Sequence, residues 1–66
     1  MAVARVTKIT ASSNKGWEDA ARQGLKRAAT TLRGITGFQV VSQKAKVDGG
    51  KIAEYRITLE VTFILE

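Results

Sequence analysis

The sequence has 66 residues, which is enough for a single small domain over 1–66. It contains no Cys and no His, so disulfide frameworks, zinc fingers, thiol nucleophiles and imidazole bases are excluded. The net charge is +5, but the 11 basic residues are scattered among 6 acidic ones, which favours a solvated surface over a nucleic-acid partner. No run of 18 apolar residues is present, so we expect no membrane partner and a cytoplasmic location.

Residues 3–10 predict a first strand, because they are rich in Val, Ile and Thr and lead into a polar cluster. An amphipathic helix is predicted over 14–33, since apolar or small residues recur there every three or four positions. These residues are Trp17, Ala20, Ala21, Gly24, Leu25, Ala28, Leu32 and Ile35. We expect Ser13 to cap the first turn and Gly34 to end the helix. Because the stripe is mostly Ala and Gly, a close-packed sheet is expected against it.

Residues 38–47 predict a second strand with period two. One side is expected to carry Phe38, Val40, Ser42, Lys44 and Lys46, and the other Val41, Ala45 and Val47. A hairpin turn is predicted at 48–50, where two Gly residues follow an Asp. The last strand, 52–66, alternates between apolar and polar side chains without a break, which predicts one buried face and one wet face.

The last strand is too long for a compact single chain of this size. At about 3.3 Å per residue, residues 52–66 extend about 48 Å, whereas 66 residues predict a radius of gyration near 11 Å. Part of this strand would have no strand partner within the chain, which predicts that other copies cover it. A crossover helix between the first two strands favours an antiparallel sheet with the last strand in the centre.

Residues along the whole sequence resemble the dodecins, small proteins of strand, helix, strand, strand order that assemble into hollow twelve-subunit shells and bind flavins. The resemblance is carried by Ser12-Ser13, by Leu25, Arg27, Ala28 and Ala29, by Thr31-Leu32-Arg33, by Phe38 and Val40, by Asp48-Gly49-Gly50, and by Val61, Phe63, Leu65 and Glu66. It implies an α+β fold in which a three-stranded antiparallel sheet wraps around one amphipathic helix. It also implies a homododecameric shell.

The flavin-binding motif of that family is altered in this sequence. Flavin-binding members carry a Trp after the helix that stacks on the isoalloxazine ring, and a Gln on the last strand that bonds its polar edge. Here Gly37 stands at the Trp position and is followed by Phe38. Arg56 stands at the Gln position, and Lys44 replaces a base on the second strand. The resemblance therefore implies a cofactor site at these four residues whose binding of FMN or riboflavin is weakened or lost.

Other interpretations of individual residues stay open at this stage. Glu54, Glu60 and Glu66 share the wet face, where carboxylates from several copies could hold calcium or magnesium, or could simply be solvated. Arg56 could grip a phosphate or carboxylate, or pair with a Glu of a neighbouring copy. Trp17 could be a displaced stacking partner, or it could belong to an interface or to the core.

Together these observations predict a non-enzymatic homododecamer that binds, stores or sequesters a small ligand, since no nucleophile with a base is recognisable. The alternative is a flavin-independent shell that binds hard cations or serves a purely structural role. For Gly37 we weigh a ligand pocket evenly against ordinary turn chemistry.

Overall fold

A computed structural model describes residues 3–65. The chain folds into strand β1 (Val3–Ser13), helix α1 (Trp17–Ala28), strand β2 (Ile35–Asp48) and strand β3 (Lys51–Leu65). The three strands form one sheet in the order β1-β3-β2, and β3 is antiparallel to both neighbours. The predicted strand, helix, strand, strand order and the central position of the last strand are thus confirmed.

The sheet is long and its two halves differ in width. β1 pairs with β3 only as far as Ser13 opposite Tyr55, whereas β2 follows β3 to Asp48 opposite Lys51. Residues beyond Tyr55 toward the turn therefore form a two-stranded hairpin without a third strand. The chain measures 52 × 19 × 13 Å, with a radius of gyration of 13.6 Å. The predicted excess length of the last strand is confirmed. The prediction that part of it has no strand partner within the chain is wrong, because β2, β1 or both lie beside β3 along its whole length.

The core lies where α1 packs on the middle of β3. Ile57, Leu59 and Val61 project toward the helix and are 3%, 0% and 0% exposed, and Ala20 of α1 is fully buried against them. Burial of side chains of this size contributes about 1.5–3 kcal/mol each. The alternation of apolar and polar residues in β3 therefore predicted its buried face correctly.

Helix and sheet approach closely because the contact residues are small. A Cβ on Gly24 would lie 2.9 Å from the Cβ of Ala11 on β1, which is closer than two such atoms can come. The predicted close packing on the Ala and Gly stripe is confirmed at this point. It places the helix over β1 and β3 and leaves most of β2 outside its cover, although Ile35 at the start of β2 packs against the core.

The helix is shorter than predicted at both ends. Its N-cap is Gly16, which makes no side-chain cap bond, so the expected cap at Ser13 is wrong. After Ala28 the chain tightens, because the backbone N–H groups of Thr30 and Thr31 bond carbonyls three residues back and their hydroxyls donate to the same carbonyls. Gly34 has the expected positive φ of 72°, but it lies beyond the end of the helix.

β2 does not keep a single alternation, and its predicted faces are wrong. Val40 lies opposite Leu59, on the helix side, whereas Ser42 lies opposite Thr58 on the other side. The register shifts between Val40 and Ser42, and again near each end of β2. Such a bulge inserts Val41 without a partner and moves the following side chains to the opposite face. Val40 is thus separated from Ser42 and the two lysines that follow.

The turn between β2 and β3 has the predicted chemistry. Gly49 and Gly50 have φ values of 59° and 78°, which match the two left-handed positions of a tight hairpin turn. No helix among residues 3–65 has the length and apolarity needed to cross a membrane.

Candidate ligand-binding face

The sheet has one face turned away from α1, which we call the open face. Its β3 residues alternate with the buried core residues and are exposed or half-buried; they are Glu54, Arg56, Thr58, Glu60 and Thr62. Neighbouring strands add their register partners to each of these positions, since directly opposed residues share a face. The open face is therefore a series of short cross-strand rows of polar side chains.

The most basic part of the open face surrounds Arg56. This residue lies between Ser12 of β1 and Lys44 of β2, and Lys46 lies opposite Glu54 in the next row. A depression of about 370 Å³ beside this region is lined by Lys44, Ala45, Lys46 and Arg56. Two of the four predicted cofactor residues, Lys44 and Arg56, are thus brought together.

Arg56 is held by a carboxylate of its own strand. Its Nε donates to Oε1 of Glu54 at 2.6 Å, and the two side chains are 53% and 33% exposed. A solvent-exposed pair of this kind contributes at most about 1 kcal/mol, so its main effect is to orient the guanidinium. Within the chain, then, the Glu that pairs with Arg56 is Glu54, two residues away.

Gly37 lies inside β2, opposite Thr62 on the open face. Its φ lies outside the left-handed range, and a Cβ added to it would meet no atom within 4 Å. The turn interpretation of this glycine is therefore wrong, because neither the backbone nor a neighbouring atom requires a glycine here. The position is an open place on the sheet where a larger side chain would fit.

Phe38 does not share the open face with the other three predicted cofactor residues. It lies opposite Val61, one of the core residues, and so points to the helix side of the sheet, where it is 44% exposed. Its neighbour Gly37 occupies the opposite face by strand alternation. A single ligand on the open face thus contacts Gly37 without contacting the Phe38 ring.

Gly37 and Arg56 are far apart on the open face of one chain. Gly37 is in register with Thr62, six positions along β3 from Arg56. At about 3.3 Å per residue these positions are about 20 Å apart. A ligand the size of one aromatic ring system that lies on Gly37 does not reach Arg56 of the same chain.

The predicted metal ligands are also dispersed within the chain. Glu54 bonds Arg56, and Glu60 lies six positions away between Lys8 and Gln39. Glu66 lies outside the described residues. Among residues 3–65, no group of three acidic side chains is placed to hold a metal ion.

Trp17 belongs to the core and not to the open face. It packs against the buried cluster from α1, and its ring meets that of Tyr55 edge to face with centroids 4.8 Å apart. Its Nε1 is buried and has no hydrogen-bond partner among the described residues. The core interpretation of Trp17 is confirmed, because the sheet separates this ring from the open face.

Sequence reasoning missed a polar cluster at the start of α1. The Ser13 hydroxyl accepts a bond from the backbone N–H of Lys15 and donates to Asp19, which also accepts a bond from Gln23. The Ser13 hydroxyl, then Gln23, and the charges of Lys15 and Arg22 hold the pKa of Asp19 below its usual value. The spacing of four residues between Asp19 and Gln23 was the available signal.

The arrangement of strands and helix matches a known family. The family model described as Dodecin matches residues 3–66. The chain belongs to the dodecin family. The earlier resemblance is confirmed, and the fold of the chain is the dodecin fold.

Two curated dodecins show the extent of the similarity. The calcium dodecin of Mycobacterium tuberculosis is 36% identical over 63 residues, which cover 96% of this chain and 89% of the relative. The dodecin of Thermus thermophilus is 33% identical over 64 residues, covering 97% and 93%. The similarity therefore extends over nearly the whole of each protein.

Solved dodecin structures agree with the same fold. The dodecin from Streptomyces davaonensis superposes with a TM-score of 0.93 at 35% identity, covering 98% of this chain and 96% of that one. The crystal structure of the Mycobacterium tuberculosis calcium dodecin, described as calcium-chelating with a novel calcium-binding site, superposes with a TM-score of 0.82 at 38% identity, covering 97% and 91%.

Proposed function

We propose that this dodecin is a non-enzymatic homododecamer that holds a small ligand on the open face, and that its flavin site has diverged at Gly37 and Arg56. Membership of the family and the fold support the assembly. The absence of Cys and His from the sequence supports a binding role over a catalytic one.

Uncovered apolar side chains of β2 support self-assembly. Because α1 covers β1 and β3, large apolar residues of β2 and of the hairpin remain exposed on the single chain; they are Phe38, Val40, Val41, Val47 and Ile52. Apolar side chains on an edge strand promote pairing and aggregation unless another surface covers them. Copies of the same chain provide that cover in a closed shell.

The spacing on the open face supports a site that two copies share. Gly37 and Arg56 are about 20 Å apart on one chain. A ligand that contacts both positions must therefore take Gly37 from one copy and Arg56 from another. This is consistent with the family resemblance and requires the assembled protein.

The observation that carries the proposed divergence is the open space at Gly37. No protein atom lies within 4 Å of where its Cβ would be, so the ring that flavin-binding dodecins use for stacking has no replacement at this position. Stacking of aromatic rings contributes about 0.5–1.5 kcal/mol beyond the area that it buries. At a site shared by two symmetry-related copies the ring is missing twice, so we expect flavin to bind weakly.

Quenching of FMN and riboflavin fluorescence tests this proposal. We expect little quenching by the natural sequence and strong quenching by Gly37→Trp, because the strand conformation and the free space both admit the indole. Gly37→Leu is the matched control, since it adds apolar volume without an aromatic ring. Strong quenching by the natural sequence, or equal quenching by the two variants, would contradict the proposed role of Gly37. A particle of single-chain mass in sedimentation would contradict the assembly.

A second candidate function is calcium binding by carboxylates that converge from several copies. The name of the Mycobacterium tuberculosis relative favours it. In this chain Glu54 is engaged by Arg56, so the site would depend on Glu60 and Glu66. Calorimetric titration of the assembled protein with calcium tests it: heat that Glu60→Gln removes supports the site, and no heat with the natural sequence eliminates it.

A further inference from the structure

We propose that the open face binds a neutral heterocycle through the aminopyrimidinone edge that guanine and pterins share. This edge presents a carbonyl, a ring N–H and an amino group side by side. The site is one cross-strand row, which we call the middle row: Lys8 of β1, Glu60 of β3 and Gln39 of β2. The inference rests on the proposed role of the open face as the ligand face, but it requires neither a flavin nor a stacking ring.

The middle row differs from the next row toward the hairpin because its polar side chains have no partners within the described chain. In that next row, Thr10 and Thr58 join their Oγ1 atoms at 3.1 Å. Among residues 3–65, the side chains of Lys8, Glu60 and Gln39 make no hydrogen bond and no ion pair. The middle row therefore presents a full set of free donors and acceptors to a ligand.

The order of groups across the middle row matches the order along the aminopyrimidinone edge. The carboxylate of Glu60, at the centre, accepts two parallel hydrogen bonds, one from the ring N–H and one from the amino group. Lys8, on one side, donates to the carbonyl oxygen, and Gln39, on the other, accepts the second amino hydrogen through Oε1. Directly opposed residues of antiparallel strands lie about 5 Å apart, so these three long side chains converge on one edge.

The central carboxylate selects this edge over those of other heterocycles. A flavin or uracil edge offers one N–H between two carbonyls, so a carbonyl oxygen of the ligand faces an oxygen of Glu60. An adenine edge offers an amino group beside a ring nitrogen without hydrogen, which also faces an oxygen. Such acceptor-to-acceptor contacts leave polar groups unpaired, and unpaired groups reduce affinity. The middle row therefore favours the guanine type of edge.

The charge of the middle row favours a neutral ligand. Lys8 and Glu60 carry opposite charges, which cancel. The next row toward the hairpin consists of two Thr and one Ser, and the row on the other side consists of Val6, Thr62 and Gly37. A neutral heterocycle leaves this balance unchanged, whereas an anion is repelled by Glu60 and a cation by Lys8.

Gly37 leaves room for the body of the ring. It lies two positions from Gln39 along β2 on the same face, which is about 7 Å. No protein atom lies within 4 Å of where its Cβ would be. Val6, in the same row as Gly37, is 53% exposed and offers an apolar contact. A flat bicyclic ring thus lies over this row while its polar edge reaches Glu60.

Equilibrium dialysis of the full-length protein against guanosine and inosine tests the proposal. Inosine lacks the amino group and is otherwise the same molecule. We expect guanosine to bind more tightly by about tenfold or more, because inosine leaves one oxygen of Glu60 unpaired. Pterin carries the same edge without a ribose, and the tighter binder of guanosine and pterin identifies the source of the ligand.

Glu60→Gln should weaken guanosine by about tenfold or more and remove the preference over inosine, because one oxygen acceptor becomes a donor. Glu18→Gln is the matched control, since it makes the same change at an exposed position of α1 and should leave the affinity unchanged. Gln39→Ala, at an exposed position of β2, should cause a smaller loss. Circular dichroism of each variant shows whether the fold is kept.

Equal affinity for guanosine and inosine, or an equal loss in Glu60→Gln and Glu18→Gln, would overturn the site. If Glu60→Gln does not fold, an unchanged guanosine affinity in Gln39→Ala overturns it instead. Sedimentation of the same samples separates the two proposals. A twelve-chain particle that does not bind guanosine or pterin eliminates only this site, whereas a single-chain particle eliminates the proposed shell.

Discussion

The part of the sheet under α1 and the hairpin beyond it are stabilised in different ways. Under the helix, the inward residues of β3 from Ile57 to Val61 are almost completely buried by the chain itself. In the hairpin, Val47 and its register partner Ile52 are 63% and 48% exposed, and no third strand lies beside them. The first region is complete within one chain, and the second presents surfaces for contacts with other molecules.

The same division separates the charges. The hairpin and the row of the sheet next to it carry a group of basic residues, Lys44, Lys46, Lys51 and Arg56, whereas the charged residues at the start of α1 are matched by nearby partners, as Glu18 is by Arg22. Stability and binding are therefore expected to respond to mutations in different regions. Three substitutions in and under α1 test the stability of the first region, in order of decreasing effect.

Leu59→Ala should cause the largest loss of stability. Leu59 is fully buried between α1 and the sheet, and truncation of such a side chain costs about 2–5 kcal/mol because it leaves a cavity. Chemical denaturation measures the loss. The matched control is Val40→Ala, whose side chain lies opposite Leu59 on β2 but is 44% exposed. The control should alter the mass of the particle more than the stability of the fold. An equal loss of stability in the two variants would contradict the proposed difference between the buried and the exposed position.

Gly24→Ala should destabilise the protein by about 1–3 kcal/mol, as overpacking commonly does. Alanine favours a helix by about 1 kcal/mol over glycine, but here the added methyl meets the Cβ of Ala11, which the backbone of β1 holds in place. Gly16→Ala is the control, since nothing lies within 4 Å of its added Cβ. A Gly24→Ala variant that unfolds at a higher temperature than the natural sequence would show that helix and sheet are not in the contact described.

Acid titration should reveal a smaller contribution of Asp19 to the stability of the folded chain. Hydrogen bonds from Ser13 and Gln23 lower its folded-state pKa below 3.8, so the unfolded chain binds the proton more readily. The contribution is present at neutral pH and is lost as the pH falls from about 3.8 through the folded-state pKa. We expect Asp19→Asn to flatten the pH dependence of the melting temperature in this range. Identical acid profiles for the natural sequence and Asp19→Asn would show that Asp19 does not contribute to stability in this way.

β3 was predictable from the sequence because its alternation has a single cause. Every second residue, with Leu59 at the centre, faces the helix, and no register shift interrupts its pairing with β1. The overall topology followed from that strand and from the crossover helix. The fold therefore depended on patterns that each segment carries within itself.

β2, the ends of the helix and Gly37 were not predictable in the same way. The bulge at Val41 depends on how β2 pairs with β3, and no property of residue 41 alone reveals it. The helix ends at Ala28 because Thr30 and Thr31 bond its last carbonyls, a choice that competes with continuing the helix. Gly37 could be assigned to a strand only once its pairing with Thr62 was known.

Trp17 gives this protein a built-in optical reporter. It is the single tryptophan of the sequence, and its indole stands edge-on to Tyr55 with a buried N–H. Its emission therefore reports the loss of the helix–sheet contact when the protein unfolds. Unfolding of the helix–sheet contact can therefore be followed by intrinsic fluorescence without an added label.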